Sequence, residues 1–327
     1  MKAFCDLPAI TQKEVHCKVC TLLAEGNGYK KIRKILAADG IRISLGTLSY
    51  WCNKKTAFTS RNNSFSAKPT AELAYALGVL FGDGAISHHK KNHDYCIHLG
   101  AIDKEFVEKF SFCISKVLGK SKAYPVHVCK SGLFEANIRS KELYFFVKSL
   151  KEDFEKVKPF AERFPAEFIQ GLADSEGCPG ISASSQFVVN VSVANSTNLE
   201  LLEYSKYLLE KHFRIHSRIN LTKTPGMSDS IIDGRLITRT KNLYLLSIGE
   251  FSSTKEYCSK INFSIIRKKQ KLEDAIKIKE KFCASQRIQE WEKLYYKVGT
   301  RWKRFVMYNS RLGRDLNPGR TRDRGES

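Results

Sequence analysis

Two nine-residue stretches carry residue types that suit metal-dependent chemistry. Residues 76–84 read Ala-Leu-Gly-Val-Leu-Phe-Gly-Asp-Gly and residues 169–177 read Ile-Gln-Gly-Leu-Ala-Asp-Ser-Glu-Gly, and the two align without a gap. Each ends in a carboxylate followed by glycine, at Asp83 and at Glu176. Mg²⁺ prefers oxygen ligands and keeps coordination positions for water and phosphate. Two adjacent acids that share such an ion suit the hydrolysis of a phosphodiester.

Small residues four positions apart predict how these acids are brought together. They are Gly78 and Gly82 in the first stretch, and Gly171 and Ser175 in the second. Residues four apart share one face of a helix, and small residues there let two helix backbones approach closely. We therefore expect two packed helices, each ending at its terminal glycine with a carboxylate at its tip. The alternative is two ordinary buried helices with glycine caps, which leaves the repetition unexplained.

The two stretches resemble the paired motifs of LAGLIDADG homing endonucleases, in the single-chain, two-repeat form. The second copy is the closer one, and the first departs at Phe81, where the family often has an acid. The resemblance implies an α/β (α+β) fold of two pseudo-symmetric repeats. It also implies catalytic and metal-binding roles for Asp83 and Glu176, with Gly82 and Ser175 beside the metal, and Mg²⁺ or Mn²⁺ as cofactor.

Strands with alternating polar and apolar residues follow each motif, and the resemblance implies that they form two sheets over the major groove of DNA. In the second repeat we predict strands over residues 180–184, 187–195, 214–222 and 236–247, with a loop over 224–234. The residues expected to face DNA are Ser182, Ser184, Gln186, Asn190, Ser192, Arg218, Asn220 and Arg239, joined by Lys90 and Lys91 of a basic hairpin tip in the first repeat. Alternation by itself also fits a half-solvated sheet.

A small helical unit precedes the repeats and resembles a helix-turn-helix over residues 29–51. We predict helices over residues 11–24 and 29–36, and a third that Ser44 caps. The early polar residues of such a third helix reach bases in the major groove, here Ser44, Thr47 and Tyr50, with Lys54 at a phosphate. A three-helix bundle that contacts protein or nothing is the alternative.

Net charge and cysteine usage indicate which partners and which cellular compartment the protein suits. The 327 residues carry a formal charge of +21, which calls for a polyanion, and neither a signal peptide nor a membrane-spanning run is evident. Ten scattered cysteines suit a reducing cytoplasm. Cys17 and Cys20, near Cys5 and His16, either begin a zinc site or belong to the apolar face of a helix.

The sequence predicts four segments: a helix-turn-helix and linker at 1–60, repeats at 69–158 and 159–282, and a basic extension at 283–327, helical over 291–308 and disordered beyond 311. The function expected is a monomeric, site-specific endonuclease that cuts double-stranded DNA at a long asymmetric site. Two alternatives stay open. One is a transcription regulator on a cleavage-inactive fold, and the other is an RNA maturase that binds intron RNA.

Overall fold

The computed structural model describes residues 1–4, 7, 9–53, 65–89, 94–232, 235–299 and 301–305. Two hydrophobic clusters organise these residues. One is confined to the N-terminal unit and centres on Val19, Ile32, Leu36 and Leu48. The other runs through both repeats and into the C-terminal extension.

The N-terminal unit contains three helices, α1 (Ala9–Ala24), α2 (Tyr29–Ala38) and α3 (Leu45–Asn53). Two short parallel strands, β1 (Lys2–Ala3) and β2 (Ile41–Arg42), pair beside them, so this unit is not purely helical as expected. The cap of α3 is confirmed, since Ser44 Oγ accepts a hydrogen bond of 3.0 Å from the backbone N–H of Thr47.

The first repeat begins with α4 (Ala71–Phe81), where Thr70 caps the helix by accepting from the N–H of Leu73. It continues through β3 (Ala85–His89), β4 (Asp94–Ala101), α5 (Lys104–Val117), β5 (Val126–Val128), β6 (Phe134–Arg139) and α6 (Lys141–Glu152). A 3₁₀ turn (Phe154–Val157) and α7 (Lys158–Arg163) lead to the second repeat. The antiparallel sheet has the order β3-β4-β6-β5.

The second repeat follows the same plan and begins with α8 (Pro165–Glu176), with proline in its first turn. Its other elements are β7 (Cys178–Ala183), β8 (Phe187–Ser196), α9 (Leu199–Phe213), β9 (Arg218–Lys223), β10 (Ser228–Ile232), β11 (Arg235–Thr238), β12 (Leu243–Ile248) and α10 (Phe251–Lys260). The sheet order is β7-β8-β12-β9. In the first sheet β6 lies between β4 and β5, and in the second sheet β12 lies between β8 and β9. The last strand of each sheet therefore has the same position in both repeats, which confirms the two-repeat fold.

The second repeat departs from the sequence prediction mainly between residues 224 and 247, and the strand predicted over 214–222 begins only at Arg218, as β9. The expected loop over 224–234 contains β10, and the expected long strand over 236–247 is divided into β11 and β12. A turn between β9 and β10 contains Gly226, which has a positive φ of 85°. Strands β10 and β11 then pair with each other as a separate hairpin. This hairpin is an insertion between two strands of the sheet.

The C-terminal extension also differs from the prediction. Helix α11 (Ile266–Lys281) ends the second repeat, and in the extension α12 (Arg287–Leu294) is followed by the antiparallel strands β13 (Tyr295–Val298) and β14 (Arg301–Arg304). The helix predicted over 291–308 is therefore wrong over the strands at 295–298 and 301–304, and residues 306–308 lie outside the described residues. Gly299, with φ of 59°, provides the turn, and the preceding Tyr-Tyr-Lys-Val suits a strand. The stretch predicted to be disordered lies outside the described residues.

Candidate metal centre and nucleic-acid interface

Helices α4 and α8 touch through their backbones. A Cβ atom added at Gly78 would lie 2.2 Å from the carbonyl oxygen of Phe168, and one at Gly171 would lie 2.2 Å from that of Tyr75. No side chain larger than hydrogen fits at such distances. The expectation that small residues allow this close approach is confirmed.

The same contact brings the ends of the two helices together. A Cβ atom at Gly82 would lie 2.5 Å from Ser175 Cβ and 3.3 Å from Glu176 Cγ, so Asp83 begins beside Glu176. Helix α8 ends at Glu176 as expected, but α4 ends at Phe81, two residues before Asp83. The backbone N–H groups of Gly82 and Gly84 both donate to the carbonyl of Val79, and this tight turn closes the helix early. Asp83 therefore projects from the turn.

The two carboxylates are crowded and short of positive charge. Burial and the neighbouring Asp83 raise the pKa of Glu176 to about 7, against a smaller opposing effect of Lys268. Burial also raises the pKa of Asp83, again opposed by Lys268. Although Asp83 presents much of its surface to solvent, the helix ends around it displace water from its carboxylate. A cation between the two acids would relieve this cost.

Lys268 is a buried cation that the sequence reasoning missed. It lies on α11, its side chain is 7% exposed, and its Nζ donates to the carbonyls of Asp174 at 2.6 Å and Ala173 at 3.4 Å. These carbonyls belong to the last turn of α8, where a positive charge is favourable. Lys268 therefore secures the helix end that carries Glu176. No motif links a lysine so far downstream to the acids.

Asp174, the other acid of the second motif, has a different environment. It is 1% exposed and accepts hydrogen bonds from the Tyr75 hydroxyl at 2.9 Å and from the backbone N–H of Ser264 at 2.9 Å. The Ser264 hydroxyl also donates to it. Asp174 thus joins α4, α8 and the segment before α11, and only the terminal acids remain available to a ligand.

The acid pair fits a hard divalent cation whose coordination is completed by substrate. Among the described residues there is no group of three or more His, Cys, Asp and Glu side chains that could hold a metal ion. Mg²⁺ is nonetheless commonly bound by one or two carboxylates together with water and substrate phosphates. A cation bound there would offset the burial that raises the pKa of both acids and the repulsion by Asp83 that raises the pKa of Glu176 further.

The zinc alternative has no support in the structure around α1. Among the described residues no three His, Cys, Asp or Glu side chains are grouped closely enough to hold a metal ion, and Cys17 and Cys20 are exposed. Cys5 lies outside the described residues. The expected packing of both cysteines on an apolar helix face is also wrong, because Val19 is buried and the cysteines point to solvent.

The second-repeat sheet has one polar, open face. Paired residues of adjacent strands share a face, so the register aligns Arg218 with Ser247, Ser247 with Ser192, and Ser192 with Cys178. Asn190 lies on the same face and covers Gly180, since a Cβ there would meet its side-chain oxygen at 1.9 Å. The sequence-predicted residues on or near this face are Ser182, Asn190, Ser192, Arg218 and Asn220, with Ser184 and Gln186 exposed in the β7–β8 turn.

Two further groups of predicted DNA contacts have different positions. Arg239 is partly exposed just after β11, and its backbone N–H donates to the carbonyl of Met227 at 3.0 Å, so it belongs to the inserted hairpin rather than to the sheet. Lys90 and Lys91 lie outside the described residues.

The open face of the first-repeat sheet was not assigned from the sequence. Its rows pair Ser87 with Cys96 and Cys96 with Arg139, and beside them His98 with Asn137. The opposite face, with Ile97, Leu99 and Ile138, is buried. The alternation in residues 95–101 and 134–139 was the available signal. Both repeats therefore present a polar sheet face.

Two of the predicted contact residues of the N-terminal unit, Ser44 and Thr47, line a cleft of about 710 Å³. Ser44 and Thr47 line it together with Arg33, Lys34 and Arg42. The hydroxyls of Ser44 and Thr47 lie 2.8 Å apart. Tyr50 is 53% exposed, and Lys54 lies outside the described residues.

Comparisons with known proteins agree with this architecture. The model of the LAGLIDADG-like domain matches residues 163–262. The uncharacterized protein MJ0398 of Methanocaldococcus jannaschii is 32% identical over 266 residues, which are 80% of this chain and 93% of that protein. Together with the paired helices, these matches define a two-repeat LAGLIDADG fold.

The chain belongs to the LAGLIDADG family. Among solved structures, the homing endonuclease I-DmoI in complex with DNA and manganese is 19% identical, with a TM-score of 0.40 over 59% of this chain and 97% of that one. The LAGLIDADG meganuclease I-AabMI bound to uncleaved DNA is 15% identical, with a TM-score of 0.41 over 67% of this chain and 96% of that one. In the described part of this chain, no helix is long and apolar enough to cross a membrane.

Proposed function

We propose that this protein is a site-specific endonuclease that cuts double-stranded DNA with the help of Mg²⁺ or Mn²⁺. One observation carries the proposal. Two acids, Asp83 and Glu176, meet at equivalent ends of two helices related by the repeat, and each has a raised pKa that a cation would lower. An acid pair that is costly to keep without a ligand is expected at a functional site.

In this proposal Asp83 and Glu176 hold the divalent ion, with Gly82 and Ser175 beside it. When bound, the ion lowers the pKa of water and stabilises the charge that develops on the leaving oxygen. The chain itself fixes the two carboxylates through the glycine contact of α4 with α8. Lys268 holds the final turn of α8, so that Glu176 cannot withdraw from Asp83.

The two open sheet faces are the proposed surface for duplex DNA. In the second repeat the contacts are assigned to Ser182, Ser184, Gln186, Asn190, Ser192, Arg218 and Asn220, with Arg239 on the inserted hairpin. Because these residues differ from those of the first sheet, the target is proposed to be asymmetric and the protein to act as a monomer. The net charge of +21 supports binding to a polyanion.

The N-terminal unit is proposed as a second DNA-binding domain, with residues 1–60 forming the domain and its linker, repeats at 69–158 and 159–282, and an extension at 283–327. Its support is the grouping of Ser44 and Thr47 with three cations around one cleft.

The cysteines of the described residues are free thiols, which suits a reducing compartment such as the cytoplasm. Regulation without cleavage is disfavoured, because binding alone has no need of the crowded acid pair.

The test is cleavage of a random duplex library in Mg²⁺, followed by sequencing of the ends. The wild type should yield discrete ends with two dissimilar half-sites. Asp83→Asn and Glu176→Gln should each lower the rate by at least about 10²–10³-fold and still bind the selected duplex in a gel-shift titration. The matched control is Glu108→Gln, an exposed residue paired with Lys104, which should cut normally.

Near wild-type cleavage by Asp83→Asn or by Glu176→Gln would refute the role of that acid. Loss of binding together with cleavage would show instead that the acids are structural caps. Binding by the wild type without any cleavage in Mg²⁺ or Mn²⁺ would favour the regulator.

A further inference from the structure

The C-terminal hairpin, residues 295–305, has two faces with different tasks. The register pairs Tyr295 with Arg304 and Lys297 with Trp302 on one face. It pairs Tyr296 with Lys303 and Val298 with Arg301 on the other. We call these the inner face and the outer face of the hairpin.

The inner face anchors the hairpin to the core. Trp291 is fully buried, and its ring stacks on Tyr295 at 4.0 Å and meets the edge of Trp302 at 6.1 Å. The Tyr295 hydroxyl donates to Asp274 at 2.9 Å, and Arg304 donates to Gln270 of α11 at 2.9 Å. The hairpin is therefore fixed in place.

The outer face is exposed and combines aromatic rings with cations. Tyr296 is 42% exposed and Phe305 is 46% exposed, with their ring centroids 5.0 Å apart. Arg301 and Lys303 are exposed beside them. Residues 295–305 contain no acid, and the ion pair of Arg304 with Asp274 at 3.3 Å lies on the inner face. Exposed rings next to unopposed cations suit a nucleic acid, whose phosphates attract the charges and whose sugars and bases contact the rings.

The hairpin is anchored at the outer end of the second-repeat sheet. Trp291 packs against Phe187 at 5.7 Å, and Phe187 pairs with Ala183 at the end of β7 that is farthest from Glu176. The strand Cys178–Ala183 spans about 17 Å at roughly 3.3 Å per residue. This length corresponds to about five base pairs at about 3.4 Å each.

We propose that the outer face of this hairpin binds the double-stranded DNA that flanks the half-site read by the second repeat, at least about five base pairs from the cut. The inference rests on the proposed function of the two sheets. Arg301 and Lys303 contact phosphates, and Tyr296 and Phe305 pack in the minor groove, where apolar side chains commonly insert.

The experiment measures DNA binding by the full chain carrying Asp83→Asn, in EDTA, so that cleavage does not intervene. The probe is a duplex recovered by this chain from a random library, then shortened stepwise from either end. The variants are Arg301→Gln/Lys303→Gln and Tyr296→Ser/Phe305→Ser, whose side chains are exposed. The charge-matched control is Lys104→Gln/Lys148→Gln, which removes two exposed lysines from α5 and α6.

Each hairpin variant should bind the long duplex about 10-fold more weakly, roughly the value of one or two good interactions. The charge variant should also lower the log–log salt slope by about 1.8, at about 0.9 for each phosphate that the protein neutralises. Trimming one flank of the duplex should weaken DNA binding by the Asp83→Asn parent and leave binding by the hairpin variants unchanged. The control should behave like the unsubstituted chain, and circular dichroism should show that all variants are folded.

Equal binding of the long duplex by the hairpin variants and their parent overturns the proposal, as does an equal loss on trimmed and untrimmed duplexes. If the hairpin variants bind the duplex like their parent but bind a single-stranded RNA probe more weakly, the hairpin is an RNA-binding element instead. Failure of the parent to recover any duplex would overturn the proposed function and this inference together. That result differs from a hairpin failure, in which the parent still binds.

Discussion

Replacing Glu176 by glutamine should stabilise the protein at alkaline pH in the absence of metal. The pKa of Glu176 rises from 4.5 to about 7 in the folded chain, and each pH unit corresponds to about 1.4 kcal/mol. The full shift would thus correspond to about 3 kcal/mol. Because the side chain is partly exposed, solvent screening reduces the expected gain to about 2 kcal/mol.

The pH dependence has a defined sign. Between pH 4.5 and about 7 the folded chain keeps a proton on Glu176 that the unfolded chain has released. Stability therefore falls as pH rises through this window and levels off above it. Glu176→Gln removes this contribution, so its advantage should be negligible at pH 4.5 and complete at pH 8.

Urea denaturation followed by circular dichroism, in EDTA at pH 4.5 and at pH 8, measures this difference. Glu108→Gln is the control and should stay within about 0.5 kcal/mol of wild type at both pH values. In a second series without EDTA, Mn²⁺ should stabilise the wild type at pH 8 and have little effect on Glu176→Gln. A variant that is no more stable than wild type at pH 8 would contradict the crowding of the two acids.

Three further predictions concern other parts of the molecule. Gly171→Ala should lower the free energy of unfolding by about 3 kcal/mol or more, because the added Cβ would lie 2.2 Å from the Tyr75 carbonyl oxygen. The control in thermal denaturation is Gly249→Ala, which has open space around it. Equal losses of stability in the two variants would refute the backbone contact. Lys268→Met should lower the free energy of unfolding by about 1–3 kcal/mol, since two carbonyls lose their hydrogen-bond donor. The loss should be larger at pH 8 than at pH 5, because Glu176 is ionised at pH 8. Deletion of residues 1–60 should weaken DNA binding and lower its salt slope by about 0.9 for each phosphate that this unit neutralises; an unchanged slope would mean that the unit does not bind DNA.

The sequence contained enough information to place the helix pair and most of the sheets. Four-residue spacing of glycines specifies a helix face, and the repeated motif specifies that two such faces meet. The helices predicted over 11–24 and 29–36 and the strand predicted over 187–195 agree with α1, α2 and β8 to within two residues. These elements follow from local patterns in the sequence.

The predictions that failed depended on turns or on contacts between distant residues. The helix predicted over 291–308 includes the strands β13 and β14, whose turn contains Gly299 with a positive φ of 59°. Lys268 acquires its role only through the packing of α11 under α8. The structural task of Asp174 likewise depends on Ser264, ninety residues away along the chain.

The backbone contact between α4 and α8 also determines when the protein can fold during synthesis. Its two glycines, Gly78 and Gly171, are separated by most of the first repeat, and the ion pair of Asp103 with Arg267 spans a still longer separation. Contacts between residues so distant in sequence form slowly, since the intervening chain must be ordered first. Until α8 leaves the ribosome, the glycine face of α4 that packs on it stays uncovered, and the nascent first half is prone to aggregation during that interval.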